Sequence, residues 1–323
     1  MTSKSTYANG ERAKASSWKS ATSTLPTEAK VDAPYVRGGV AQGESYPFCL
    51  PVEFASHSLL PEVRSRILEL FTELDIPWHA SVNGGPSNHL LSSQVQCANA
   101  LGQMVTDPER LVRAFGAVLG TKQVHPIEPG RFLTFEFIGS RDYLNEAVGG
   151  VRQRGANCTS VDAAFVHTTT SNVRELILLE WKYTERYAQR HADPASDATR
   201  LARYGELLDA DDCPLQRGLL AFEELVQEPL YQLMRQQLLA HQLEKHRELD
   251  VDRVRVAHVL PPANLAYQQS LYGAARERGA TVKDVWSSLL VSSDRFVQLD
   301  SALFCDPLIT SAEYCSRYGS GTN

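Results

Sequence analysis

Between residues 61 and 74 the apolar side chains fall at 63, 67, 70, 71 and 74, the three-and-four spacing that gathers one face of an α-helix. Residues 83–87 (NGGPS) interrupt that pattern with loop chemistry, and helical spacing resumes over 89–105 through Leu91, Val95, Ala98, Leu101 and Gly102. The period then changes. Residues 131–138 (RFLTFEFI) are aromatic and β-branched and predict a strand ended by Gly139. Residues 160–167 and 175–183 predict two more strands, and the polar run 168–172 (TTTSN) joins them as an antiparallel hairpin. A long helical region over 216–246 breaks before Pro229, since proline lacks an N–H and crowds the preceding turn; residues 253–260 then predict another strand.

The order helix, three-strand meander, helix, strand, with additional helices at both ends, predicts an α/β fold. Its last strand lies parallel to the third through a helical crossover. Residues 1–45 have no sustained apolar period and are rich in Ser, Thr, Ala, Gly and Lys, so they are expected to form a flexible polar tail. Residues 46–323 are expected to make a single elaborated domain with its core at about 88–262, and 265–318 add amphipathic segments.

Composition narrows the function classes. The 323 residues are 43% apolar and 22% charged, with no run of eighteen apolar residues, which describes a soluble globular protein and no membrane span. A net charge of −6 lacks the bulk positive charge of many nucleic-acid binders, so any such binding needs a local groove. The cysteines at 49, 97, 158, 213, 305 and 315 contain no C-x-x-C pair and are expected to be reduced core thiols rather than a zinc site or disulfide framework. The start MTSKSTYANGERAK lacks the apolar stretch of a signal peptide, which points to the cytoplasm.

The chemistry concentrates in the hairpin. Successive strand side chains point to opposite faces, so Glu180 and Lys182 share a face while Trp181 turns away, and Asp162 can meet them from the neighbouring strand. Two carboxylates and the intervening backbone carbonyl of Trp181 are hard oxygen ligands of the kind Mg²⁺ accepts, with Mn²⁺ as a substitute. A lysine beside them can orient a metal-bound water or neutralise charge on phosphorus. The plain alternative is a solvated strand face with a weak ion pair. Against it stands the preceding run Leu176 to Leu179, which reads as a buried strand whose terminal charges need partners.

With these residues the sequence resembles the PD-(D/E)XK nuclease superfamily, and within it bacterial restriction-endonuclease proteins. The blocks 76–79 (IPWH), 88–99 (NHLLSSQVQCAN), 159–165 (TSVDAAF), 179–185 (LEWKYTE), 232–240 (QLMRQQLLA) and 304–308 (FCDPL) carry the likeness, which runs over about residues 55–318. The resemblance implies a restriction-endonuclease-like core in which Asp162 and Glu180 bind metal and Lys182 serves the attacking water. Val161 stands where the superfamily's name has proline, which contributes no ligand. Gln94 falls in the helix where the superfamily often places a supporting carboxylate or amide, against the alternative of a helix start capped by Ser92. Gln232 and Arg235 are three apart on one helix and can approach a phosphate together, or else form a solvated face. Tyr183 extends the motif strand as a further supporting position. Residues 116–122 (GAVLGTK) superficially resemble a phosphate loop but lack one spacer residue and follow a helical rather than a strand pattern, so nucleotide binding there is rejected.

The expected function is therefore Mg²⁺-dependent hydrolysis of DNA phosphodiester bonds, as an endodeoxyribonuclease of restriction or defence type. The basic groove is expected from Lys182, Arg235, Arg152, Arg154 and Arg186, with the tail adding phosphate contacts. An exonuclease, a structure-specific repair nuclease or a catalytically silent nucleic-acid-binding protein are the competing readings, which closed circular DNA separates. A homodimer would allow paired cuts, although no coiled-coil heptad supports one.

Overall fold

Segments as apolar as 176–179 can be buried on both faces only in the middle of a sheet, and that is where the chain puts them. The computed structural model describes residues 6–191 and 193–319. In chain order the strands are β1 (Ala33–Arg37), β2 (Val40–Tyr46), β3 (Thr121–His125), β4 (Thr134–Phe137), β5 (Val161–Thr169), β6 (Arg174–Trp181), β7 (Arg253–Leu260) and β8 (Phe296–Asp300). The helices that matter to the site are α1 (Thr6–Ala21), α2 (Arg64–Glu73), α3 (Ser93–Leu101), α4 (Pro108–Leu119), α5 (Pro194–Asp209), α6 (Phe222–Leu225) and α7 (Leu230–Lys245).

One mixed sheet runs β3-β5-β6-β7-β8, and β4 also pairs with β5. The meander β4, β5, β6 is antiparallel, and β7 lies parallel to β6 after a crossover that includes α7. These pairings agree with the expected order. Two sheet strands escape the pattern reading: β3 (TKQVH) and β8 (FVQLD) alternate poorly because each bounds the sheet and keeps polar residues half-open. The rejected phosphate loop has a plain structure as well. Gly120 is the left-handed C-cap of α4, with φ 70°, and Thr121 begins β3.

Strand alternation divides the core in two. Ala163, Phe165, Ile177, Leu179 and Trp181 pack toward α2, α3 and α4, where the Phe115 and Phe165 rings stand 4.7 Å apart and Trp181 lies 4.8 Å from Phe304. Ala164, Val166, Leu176 and Leu178 face the other way, onto Leu230, Leu233 and Met234 of α7. Among the described residues no helix is long and apolar enough to cross a membrane.

The expectation of a flexible tail over 1–45 is corrected by the structure for residues 6–45, while 1–5 lie outside the described residues. Residues 6–21 are helical, and β1 and β2 form a hairpin turned by Gly38 and Gly39, both at positive φ as a two-residue type I′ turn demands. Composition hides this segment because much of what it buries is polar. Lys19 is 1% exposed and donates to the carbonyls of Val31 (2.7 Å) and Cys49 (2.6 Å). Burial pulls its pKa down, against the opposing pull of Asp32 and Cys49. The Trp18 indole donates to Glu313 at 2.7 Å, Arg317 lies over the Trp18 ring, and Glu11 accepts from the buried Tyr183 hydroxyl at 2.7 Å.

Deleting residues 1–24 removes Glu11 from the Tyr183 hydroxyl, the Trp18 ring from Arg317 and the donors Trp18, Thr22 and Thr24 from Glu313. The unpaired Tyr183 hydroxyl costs ~1–3 kcal/mol and the lost burial of Ala15 and Trp18 adds to it, so the truncated chain is expected to lose several kcal/mol of stability. Thermal or urea unfolding checks this; an unchanged midpoint would restore the flexible-tail reading.

Candidate active site

The ladder between β5 and β6 ends on the pair Ala163 and Leu179, one step short of Asp162 and Glu180. There the Asp162 carboxylate accepts the Trp181 backbone N–H at 2.6 Å, so a side chain closes the ladder in place of a carbonyl. On the other side of β5, Glu136 of β4 falls between the pairs Phe135–Ala163 and Phe137–Val161, level with Asp162. Across β6, Glu180 is registered with His258 of β7. Three carboxylates and an imidazole thus occupy one row across four adjacent strands.

Glu180 shares the face of Leu176 and Leu178, which α7 covers, and this explains its partners. It is 3% exposed, and its Oε1 accepts from Lys182 (2.6 Å) and from the Gln232 amide (2.7 Å), while its Oε2 accepts from Gln236. Lys182 also donates to the Gln232 carbonyl oxygen at 2.7 Å. Burial by itself lowers the Lys182 pKa, but Glu180 with Tyr187, Tyr267 and Glu185 outweighs it and leaves the ammonium held well above the ordinary lysine value. Gln232 therefore joins the motif residues rather than a solvated face.

Gln94 also reaches the row. Its amide donates to the Pro77 carbonyl (3.1 Å) and to Glu136 (3.3 Å), and its oxygen accepts the His79 N–H at 2.8 Å. Ser92 caps α3 as the local reading holds, accepting from Val95 N–H at 3.3 Å, so the cap and the Gln94 contacts coexist. Arg235 stands beside the row: it donates to the Thr159 hydroxyl (3.3 Å), lies 3.8 Å from Glu146 and stacks on Tyr231.

Tyr183 is not among these residues. It follows Trp181 to the opposite face and bonds Glu11, as strand alternation requires. Arg152 and Arg154, expected in a basic groove, are engaged elsewhere: Arg152 donates to the carbonyls of Gly139, Ser140 and Arg141, and Arg154 to Thr134, Phe135 and Glu128.

Three members of the arrangement escape a reading from residue types. Glu136 is the charged position inside the aromatic strand RFLTFEFI, which is a visible anomaly, and Gln236 lies four after Gln232 on the same helical face. Gln96 is 3% exposed and accepts the Trp181 indole N–H at 2.9 Å, locking the motif strand from behind. Glu136 carries a further mark. Its φ of 46° is left-handed, a conformation costing about 1–3 kcal/mol for a non-glycine residue, and its carboxylate accepts from Ser160 at 2.8 Å.

The charges are crowded. Burial, then Glu180 and Glu136, push the Asp162 carboxyl well above its usual range, only partly offset by Lys182 and the Trp181 N–H. Glu136 is raised too, first by burial and then by Glu180, against the hydrogen bonds from Ser160 and Gln94. His258, buried against Tyr267, is pushed well down by burial and by Lys182, so it is neutral. Among the described residues no three His, Cys, Asp or Glu side chains already converge as a ligand set. The donor chemistry nonetheless suits a hard divalent cation, because the row offers the oxygens of three carboxyl groups beside the single ammonium of Lys182.

A family model described as restriction endonuclease associating with ARP matches residues 12–319. The chain belongs to that restriction-endonuclease family. The match takes in α1 from residue 12, the whole sheet and the last helix, Ala312–Tyr318, so the family extends over most of the segment that composition alone reads as a tail. No curated protein and no solved structure matches the chain at a significant level.

The raised Asp162 pKa sets a pH dependence in this family member. A carboxyl raised in the folded state supports folding below its unfolded pKa and loses that contribution as pH rises through the folded value. Asp162→Asn removes the ionisation while keeping an oxygen for the Trp181 N–H. In metal-free protein it is expected to raise the thermal midpoint by about 2–4 °C at pH 8, with the gain narrowing toward pH 4. Equal midpoints across that range would contradict the crowded-carboxylate reading.

Proposed function

We propose that the chain is a Mg²⁺-dependent nuclease that hydrolyses DNA phosphodiester bonds on a restriction-endonuclease-like core, acting as an endodeoxyribonuclease. The observation that carries this reading is the row of Glu136, Asp162 and Glu180 on adjacent strands with Lys182 bonded to its last member. Membership of a restriction-endonuclease family supports it. Association with ARP, named in the family's description, comes to this chain as a proposed partner alongside DNA.

In this reading Asp162, Glu180 and the Trp181 carbonyl would hold the cation, and Glu136 stands on the far side of Asp162. The bound ion supplies Lewis acidity toward the phosphate and lowers the pKa of water. The chain's own groups do the positioning. Gln232 fixes Lys182 and Glu180 relative to one another, so the ammonium is presented as a donor to the attacking water or to a phosphate oxygen and does not swing freely. Gln96 and Asp162 hold Trp181 through its indole and its N–H, which fixes the residue whose carbonyl would serve as the third ligand. Arg235, at the edge of the row, is placed to meet a neighbouring phosphate.

Supercoiled plasmid tests the reading. The wild type is expected to nick or linearise it with Mg²⁺ or Mn²⁺ and to stop in EDTA. Asp162→Ala and Glu180→Ala are expected to lose both metal affinity and cutting, whereas Lys182→Ala loses cutting by about 10²-fold or more and keeps metal affinity in a calorimetric titration. Near-normal cutting by folded Glu180→Ala and Lys182→Ala would reject the site, and cutting confined to linear DNA would favour exonuclease action.

A further inference from the structure

An acidic chain that handles DNA needs a local surface of the opposite character, and the residues first expected to supply it are largely tied up internally. The structure offers another place. Where α1, the β1–β2 hairpin and the chain just after β6 come together, two adjoining cavities of about 310 and 540 Å³ share Arg12 and His89. Among the described residues their walls carry Arg12 and Arg186, both exposed, and no Asp or Glu.

Aromatic rings line the same groove and remain half-open. Tyr46 and Phe48 stack with centroids 5.1 Å apart and planes 18° from parallel. The His89 ring lies 5.1 Å from both Phe48 and Tyr35, and the Arg12 guanidinium sits 5.6 Å from the Phe48 centroid. Burial and then Arg12 push the His89 pKa down to about 4, and its Nδ1 accepts the Leu91 N–H at 3.1 Å. His89 is therefore an uncharged ring with its proton on Nε2 at neutral pH.

Flat π-faces for a base beside guanidiniums for phosphate are the chemistry by which proteins hold unpaired nucleotides. Arg12 donates to the Asn9 amide oxygen at 2.9 Å, and among the described residues neither it nor Arg186 is ion-paired with a carboxylate. The groove is also close to the motif. Thr184 lines it and is two residues beyond Lys182, so their Cα atoms are at most about 7 Å apart.

We propose that this groove binds an unpaired nucleotide of the DNA next to the cleavage site, its base against the Tyr46–Phe48 pair and its phosphates at Arg12 and Arg186. The position relative to the cut rests on the nuclease reading; the recognition of a base and its phosphates does not. A paired base presents only its edge, so the groove favours single-stranded or locally opened DNA.

The test is fluorescence anisotropy of a labelled oligo-dT and of a blunt duplex of equal length, with the full chain in EDTA so that nothing is cut. Tighter binding of the single strand is expected. Phe48→Leu weakens it about tenfold and Phe48→Tyr restores it, because a stacked base is lost and regained with the ring. Tyr46→Leu weakens it as well. Arg12→Gln, an exposed change that leaves the fold intact, lowers the slope of log affinity against log salt by about 0.7. No single-strand binding by the wild type, or wild-type affinity and salt slope in folded Phe48→Leu, Tyr46→Leu and Arg12→Gln, would overturn the proposal. The plasmid assay judges the nuclease reading separately: groove-dependent binding without cutting would sink that reading and leave the nucleotide site standing.

Discussion

A buried carboxylate shared among an ammonium and two amides is the contact on which the rest of the site depends. Glu180 follows the dry run Leu176–Leu179 one residue before the end of β6, so its charge must be balanced inside the protein. Lys182 balances it, and Gln232 and Gln236 complete the hydrogen bonding from α7. The crossover helix is thereby tied by polar contacts to the strand that it also covers with leucines. Removing either side of such a pair leaves a buried charge uncompensated, which costs more than the pair itself contributes.

Around that contact the protein accumulates charge rather than dispersing it. Asp162 and Glu136 stand beside Glu180 although burial and mutual repulsion raise both their pKa values, and Glu136 accepts a left-handed backbone to be there. A sheet selected only for stability would place apolar or singly paired residues in this row. The immediately flanking rows, through Ala163 and Leu179 on one side and Val161 and Trp181 on the other, are apolar and buried.

Much of this was legible in the residues, for reasons that also explain what was not. The strands β5, β6 and β7 announce themselves because β-branched and aromatic runs have few other uses, and the face shared by Glu180 and Lys182 follows from strand alternation alone. Glu136 joins the row through a backbone dihedral that residue type does not encode. Gln96 and Gln236 look like surface amides until the fold brings Trp181 and Glu180 to them. The segment before residue 46 reads as disordered because its ordering rests on Lys19, Glu11 and Trp18 finding partners far along the chain, not on an apolar stripe.

Those distances along the chain have a consequence for how the molecule is made. Glu11 waits 172 residues for Tyr183, and Trp18 waits 295 for Glu313. At about 5–20 residues per second, the ribosome delivers Glu313 roughly 15–60 s after Trp18. α1 is thus synthesised well before Tyr183 and Glu313, and until Glu11 meets Tyr183 the hydroxyl just past the motif strand is unheld. Nascent chains pass through a stage with the central strands already synthesised and that strand end still unpinned.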